Sequence, residues 1–90
     1  MDRARLERVQ ANLEKMGMEQ ALICDPWSIK WLCGYFTEPF ERFLGLLVST
    51  EREPVLFANR LFPDAGGFVD DVRVFSDTDD PAAQIGRAHV

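Results

Sequence analysis

The 90-residue sequence contains no apolar stretch that approaches the roughly 20 residues needed to cross a bilayer. Its first residues, MDRARLERVQ, also lack the apolar run of a signal peptide. These absences predict neither a membrane span nor export, so we expect a cytoplasmic protein that does not contact membranes. A chain of this length forms one domain at most. Its 47% hydrophobic and 28% charged residues are typical of a folded globular protein.

Cysteine is scarce, with only Cys24 and Cys33 present. The two residues form no CxxC pair, and their spacing does not match a zinc site. Both lie in apolar segments, which predicts two buried thiols in a reducing compartment. A redox pair is the alternative interpretation.

Basic residues are fewer than acidic ones. The chain contains 10 Lys and Arg and 15 Asp and Glu, which together give a net charge of -5. The basic residues are also scattered along the chain. Nucleic-acid binding needs a basic surface that displaces counterions, so we expect no nucleic-acid partner. The nucleotide-binding fingerprints GxGxxG and GxxxxGK[ST] are missing as well.

Histidine occurs once, as His89, in the terminal stretch QIGRAHV. Residues 85–90 can be back-translated as ATC GGA AGA GCA CAC GTC, which is part of a widely used sequencing-library adapter. We therefore interpret residues 85–90 as adapter read-through and assign 1–84 to a partial domain. Without His89, the chain offers no Ser–His or Cys–His nucleophile pair and no histidine metal site.

The segments that are present alternate between helical and strand patterns. Residues 2–17 predict an amphipathic helix with Asp2 as N-cap, Gly17 as its stop, and an apolar stripe made of Leu6, Val9, Leu13 and Met16. QALICD predicts a strand covered on both faces. Asp25-Pro26 predicts the start of a short helix that ends at Gly34. Trp27 and Trp31 share one face of that helix, which indicates a core or interface role, with ligand stacking as the alternative.

Three further strands are predicted in RFLGLLVS, PVLFAN and DVRVFSD, and the first two are expected to be antiparallel neighbours. The segment RLFPDAGGF, which lies between PVLFAN and DVRVFSD, predicts an interrupted helical turn. Asp80-Pro81 predicts the start of a last helix. The alternation indicates an α/β fold with a mixed β-sheet flanked by helices. The aspartates near the C-terminus, which we interpret as turn residues and helix caps rather than a paired-carboxylate site, are Asp70, Asp71, Asp77, Asp79 and Asp80.

The loop YFTEPFER, residues 35–42, has an unusual composition for a connector because it combines three aromatics with charged residues and a proline. Glu38 and Glu41 are three residues apart, with Phe40 between them and Arg42 adjacent. Such a loop is suited to a substrate-facing or subunit-facing surface. A plain surface loop with an internal Glu–Arg pair, worth under about 1 kcal/mol, is equally compatible with the residues.

Several motifs, in order, resemble the N-terminal domain of the creatinase/prolidase family of Xaa-Pro dipeptidases and aminopeptidases. They are KMGMEQALICDPWSIKWLCGY, TEPFER, ERFLGLLV and EPVLFAN. The resemblance covers residues 3 to about 84 and implies a ribonuclease H-like α/β fold. TEPFER is most similar to the short dipeptidase branch, where the segment often reads Asp-Pro-His-Glu-Arg. Glu38 then stands for the Asp and Phe40 for the His.

The resemblance also implies where the chemistry lies. Family enzymes hold two divalent metal ions (Mn, Co or Zn) in a C-terminal domain, on two Asp, one His and two Glu, and none of those motifs is present here. The N-terminal domain mainly builds a homodimer. Its loop, here Glu38, Phe40, Glu41 and Arg42, reaches toward the partner's active site, where proline-containing peptides bind. The expected function is a non-catalytic part of a metal-dependent Xaa-Pro peptidase that contains no catalytic or metal-binding residues of its own. A stand-alone binding or dimerisation module and a part of a non-peptidase creatinase-like hydrolase are the alternatives.

Overall fold

A computed structural model describes residues 1–76 and 80–88 of the chain. The elements follow the predicted order closely. The helices are α1 (Arg3–Lys15), α2 (Pro26–Cys33) and α3 (Pro81–Ala88). The strands are β1 (Gln20–Ile23), β2 (Gly45–Ser49), β3 (Val55–Asn59) and β4 (Asp71–Phe75).

The four strands form one sheet in the order β1-β2-β3-β4. β1 pairs antiparallel with β2, and β2 pairs antiparallel with β3, as the short turn between them predicts. β4 joins β3 in parallel, with Val55 opposite Asp71 and Asn59 opposite Phe75. The parallel pairing becomes possible because residues 60–70 return the chain to the start of β3 before β4 begins. The predicted α/β fold with a mixed sheet is therefore confirmed.

Local signals fix the helix ends where the sequence predicts them. The Asp2 carboxylate accepts a hydrogen bond from the Arg5 amide at 3.1 Å, and Asp25 accepts one from the Trp27 amide at 3.2 Å. Gly34 ends α2 with φ 86°, in the left-handed region that glycine enters without a Cβ penalty. At the start of α3, Asp80 accepts a hydrogen bond from the Ala82 amide at 3.0 Å.

The main core lies between one face of the sheet and helices α1 and α2. Leu46, Val48 and Leu56 point to this face and are completely buried, and α2 contributes Ile29 and Leu32. Full burial of each such side chain contributes about 1.5–3 kcal/mol. The other face of the sheet carries a smaller cluster formed by Leu47, Val55, Phe57 and Phe75, against which Phe43 and Ile85 pack.

Three of the sequence predictions, one for the strand β1 and two for single residues, are wrong. β1 is not covered on both faces, because it is an edge strand whose outward residue Leu22 remains exposed. Cys24 is exposed, since it lies just beyond this edge strand, whereas Cys33 is buried as predicted. Met16 is exposed although it continues the apolar stripe, because it caps α1 where the chain turns away from the core.

Residues 60–70 form a series of turns rather than an assigned helix. The amide of Phe68 donates to the Ala65 carbonyl at 2.9 Å, which closes one of these turns. Asp70 directly precedes β4 and lies 3.6 Å from Arg3. Asp71, interpreted from the sequence as a turn residue, is instead the first residue of β4, where it binds Arg73 at 2.8 Å. Asp77 and Asp79 lie outside the described residues. Residues 89 and 90 lie outside them as well, and the interpretation of 85–90 as read-through stays a prediction.

Candidate functional site: the loop from Tyr35 to Arg42

The loop begins at a firmly held residue. Tyr35 is buried, and its phenol donates a hydrogen bond to the Pro63 carbonyl at 2.7 Å. Its ring also packs edge-on against Phe68, with centroids 5.7 Å apart. Burial, followed by the negative charge of Asp64, raises the pKa of the Tyr35 phenol. The phenol therefore stays protonated as a donor at neutral pH.

Phe36, the second residue of the loop, packs against the outer side of α2. Its ring centroid lies 4.7 Å from that of Trp27. Trp27 and Trp31 are both exposed, so the predicted core role is wrong for both, whereas an interface role and ligand stacking stay untested. The first two residues of the loop are thus each held by an aromatic contact, Tyr35 with Phe68 and Phe36 with Trp27.

The tip of the loop holds all four predicted site residues, and all four are exposed: Glu38, Phe40, Glu41 and Arg42. A hydrogen bond from the Arg42 amide to the Pro39 carbonyl, 2.9 Å long, folds residues 39–42 into a tight turn. Among the described residues, neither Glu38 nor Glu41 forms an ion pair. Both residues are exposed, as is Phe40.

Phe40 has the most distinctive geometry of the four. Its φ is 53°, in the left-handed region that is a rare conformation for a bulky residue, and its side chain is 82% exposed. Strain of this kind costs about 1–3 kcal/mol and is concentrated at functional sites. The Phe40 ring thus combines an unfavourable backbone conformation with an exposed apolar surface.

The loop ends in a second anchor that the sequence analysis missed. Phe43 packs against Phe75 with ring centroids 6.0 Å apart, and Leu44 is buried in the main core. Gly45 permits this arrangement, because a Cβ at that position would lie 2.7 Å from Phe43 Cζ and 3.0 Å from Leu22 Cδ1. A glycine within the predicted strand RFLGLLVS, where it proves to be the first residue of β2, is the signal that could have revealed this close approach.

The described residues offer no metal centre. Within residues 1–76 and 80–88, no group of three or more His, Cys, Asp or Glu side chains could hold an ion. A depression of about 400 Å³ elsewhere on the surface is lined by Glu19, Glu51 and Glu53, among others, but it includes none of the loop residues. Glu53 is also engaged by Arg3 at 2.8 Å. The donor set of residues 1–76 and 80–88 therefore does not fit the two-metal site that the sequence resemblance implies for a full enzyme.

The two thiols differ in environment. The Cys33 thiol donates to the Ile29 carbonyl at 3.1 Å inside α2, and burial raises its pKa. Partial desolvation also raises the pKa of Cys24, although this side chain is reachable by solvent. Neither thiol is activated as a nucleophile. In the described part of the chain, no helix has the length and apolar character needed to cross a membrane.

Comparison with known proteins gives consistent matches to peptidases. The chain is 31% identical over 83 residues to the Xaa-Pro dipeptidase of Lactobacillus delbrueckii subsp. lactis, with 89% of this chain and 23% of that enzyme covered. It is 38% identical over 50 residues to the putative dipeptidase YkvY of Bacillus subtilis, covering 56% of this chain and 14% of the relative. The chain thus spans less than a quarter of the length of these curated relatives.

Solved structures give the same assignment for the fold. A proline dipeptidase from Streptococcus pneumoniae superposes with a TM-score of 0.85 at 30% identity, covering 92% of this chain and 63% of that one. The creatinase/prolidase N-terminal domain of an X-Pro dipeptidase from Streptococcus pyogenes gives a TM-score of 0.85 at 32% identity, with coverages of 93% and 66%. The family described as the Creatinase/Prolidase N-terminal domain matches residues 5–86. The chain therefore belongs to the creatinase/prolidase N-terminal domain family.

Proposed function

We propose that this domain is the non-catalytic N-terminal part of a metal-dependent Xaa-Pro peptidase. In that enzyme it would contribute to a homodimer and place the loop tip against the substrate. The observation that carries the proposal is the geometry of the loop, whose exposed tip is held between two aromatic anchors. Support also comes from the relatives, since the Lactobacillus protein is an Xaa-Pro dipeptidase and the Streptococcus pneumoniae structure is a proline dipeptidase.

The tip residues have complementary roles in this proposal. The Phe40 ring offers an apolar surface to the side chain of the residue that precedes proline. The Glu38 and Glu41 carboxylates attract the ammonium group of a short peptide, an interaction that strengthens once closure of the site excludes water. Anchoring at Tyr35 and Phe43 keeps the tip in place, so that less conformational entropy is lost when a peptide binds.

The catalytic chemistry belongs to residues outside this domain. Two divalent ions (Mn, Co or Zn), bound there, would activate a water for attack on the peptide bond. In this proposal the role of the present domain is to bind and orient the peptide. The 90-residue chain alone, supplied with Mn²⁺ or Co²⁺ and Xaa-Pro dipeptides, should release no proline.

Phe40→His in the full-length protein tests the role of the loop. We expect the preference for an apolar over a polar residue before proline, measured as the ratio of kcat/KM for Phe-Pro to kcat/KM for Ser-Pro, to fall several-fold. Leu61→His is the control, because Leu61 is also an exposed apolar residue but lies in the 60–70 turns. An unchanged ratio in Phe40→His, with the fold intact, would remove the proposed substrate contact.

The gene itself tests the assignment to a longer enzyme. Reading the coding DNA beyond the codon for Gln84 should reveal a continuing frame that supplies two Asp, one His and two Glu in the family pattern. A native stop codon directly after Val90 would contradict the proposal and would favour a stand-alone module instead.

A further inference from the structure

The outward side of α2 carries an exposed surface that neither the core nor the loop tip uses. Trp27 is 65% exposed and Trp31 is 42% exposed, although large apolar rings are usually withdrawn from water. Basic side chains lie over both rings. We call this area the cation–aromatic surface, and it consists of Arg5, Arg8, Trp27, Lys30, Trp31 and Phe36.

One half of the cation–aromatic surface is organised around Trp31. The guanidinium carbons of Arg5 and Arg8 lie 4.9 Å and 5.9 Å from its ring centroid. Arg5 is fixed further by a hydrogen bond from Nη1 to the Trp31 carbonyl, 2.6 Å long. Two cations from α1 are thus held over a ring from α2, so both helices contribute to the same surface.

The other half is organised around Trp27. Its ring packs on Phe36, and Lys30 Nζ lies 5.7 Å from the centroid of each of these two rings. Trp27 and Trp31 are one helical turn apart, so the two halves form a continuous strip along α2. The strip displays apolar ring surface with cations at its edges.

The charge of this surface is opposite to that of the whole chain. Arg5 is paired with Asp2 at 3.3 Å, but among the described residues no carboxylate forms an ion pair with Arg8 or Lys30. The chain nevertheless carries a net charge of -5. A positively charged aromatic strip on an acidic protein selects for a negatively charged partner, because repulsion keeps such a partner away from the rest of the surface.

We propose that the cation–aromatic surface docks an acidic protein segment that carries apolar side chains. Its carboxylates would pair with Arg8 and Lys30, and an apolar or aromatic side chain would cover Trp27 and Trp31. Protein interfaces favour tryptophan and arginine as anchors in this way. A nucleic acid fits less well, since two unneutralised cations release few counterions and the chain as a whole is acidic. An anionic bilayer surface fits less well too, because such surfaces attract clusters of about four to eight basic residues.

A labelled peptide tests the proposal with the 90-residue chain. The probe is fluorescein-labelled Glu-Asp-Phe-Glu-Asp-Pro-Phe-Asp-Glu, and its binding is followed by anisotropy. Trp27 and Trp31 are the only tryptophans in the chain, so a change in intrinsic emission reports occupancy of this surface directly. We expect saturable binding together with an emission change. Replacing every acidic residue of the probe by Lys, or both Phe by Ala, should weaken binding at least tenfold.

Matched variants locate the contact. The double variant Arg8→Glu/Lys30→Glu should raise the Kd for the probe at least tenfold. Its control is Lys15→Glu/Arg60→Glu, which makes the same charge change at exposed positions outside the surface and should change the Kd less than twofold. Trp27→Ala should also weaken binding, while circular dichroism and thermal unfolding show that each variant is folded.

Several results would overturn the proposal. One is absence of probe binding by the folded chain, and another is equal weakening in the control double variant. A third is binding to phosphatidylserine vesicles or to a single-stranded oligonucleotide that is tighter than binding to the peptide and is lost in Arg8→Glu/Lys30→Glu. A fourth is concentration-dependent self-association that the same double variant abolishes, because the occupant would then be a second copy of the chain. The proposal does not rest on the proposed peptidase function, since its readout involves neither substrate turnover nor the loop tip.

Discussion

The phenol of Tyr35 and the carbonyl of Pro63 form a 2.7 Å hydrogen bond between residues that are 28 positions apart. This bond joins the start of the candidate loop to the turns that precede β4. The phenol is held in a partly buried environment, where an unsatisfied polar group would be costly. The loop therefore depends on a distant part of the chain for its position.

Tyr35→Phe removes this hydrogen bond and leaves the ring in place. We expect the free energy of unfolding to fall by about 0.5–1.5 kcal/mol, because the Pro63 carbonyl loses its partner. Urea unfolding followed by circular dichroism measures the change. Phe36→Leu is a control that alters the neighbouring exposed ring without touching the bond, and an unchanged stability in Tyr35→Phe would show that water replaces the phenol without loss.

The same residue predicts a pH dependence. Burial raises the pKa of the Tyr35 phenol, so the native state holds this proton more tightly than the unfolded state does. The stabilisation is complete below the unfolded pKa of about 10 and is lost as pH rises through the native pKa. Tyr35 is the only tyrosine, so its absorbance at alkaline pH reports one group. The native midpoint should lie above that of the urea-unfolded chain, and coincident midpoints would contradict the burial argument.

Gly45→Ala should destabilise the second anchor of the loop. The new Cβ would meet Phe43 and Leu22 at 2.7 Å and 3.0 Å, so the Phe43 ring must move off Phe75. Overpacking of this kind costs about 1–3 kcal/mol. Thermal unfolding measures the loss. Gly67→Ala is the control, because no atom lies within 4 Å of the place that its new methyl group would occupy and its φ is not in the left-handed region.

Phe40→Asn should stabilise the domain relative to Phe40→Ala. Both substitutions remove the same exposed ring, but Asn adopts the left-handed conformation at φ 53° more readily than Ala does. We expect a difference in the free energy of unfolding of about 0.5–1 kcal/mol in favour of Asn. Identical unfolding curves for the two variants would show that the turn relaxes and stores no strain at this position.

The two thiols should react at very different rates in the native chain. Iodoacetamide should modify Cys24 faster than Cys33, because Cys24 is exposed whereas Cys33 is buried and bonded within α2. Mass spectrometry of timed samples distinguishes the two sites, and Cys24→Ser confirms the assignment. Equal rates in the folded chain would indicate that α2 opens on the timescale of labelling.

Much of the loop could be located from sequence, but its geometry could not. The composition of residues 35–42 separated this segment from an ordinary connector, and its four charged and aromatic tip residues are indeed all exposed. The left-handed conformation of Phe40 had no sequence signal, since glycine and asparagine, not phenylalanine, mark such positions. The anchors at Pro63 and Phe75 involve residues far along the chain, so no local pattern could have indicated them.

The sequence by itself determined the order of the elements and the ends of the helices, whereas β2 begins at Gly45, three residues later than predicted. Asp2, Asp25 and Asp80 cap helices through bonds to amides two or three residues away, and Gly34 stops α2 through its own backbone freedom. These interactions are local, so the sequence contains all the information that they need. The tertiary structure alone decided that β1 is an exposed edge, that β4 pairs in parallel with β3, and that Trp27 and Trp31 face solvent. Those outcomes depend on which surfaces are covered by distant segments of the chain. An apolar pattern indicates that a face can be buried, but it does not indicate which segment will bury it.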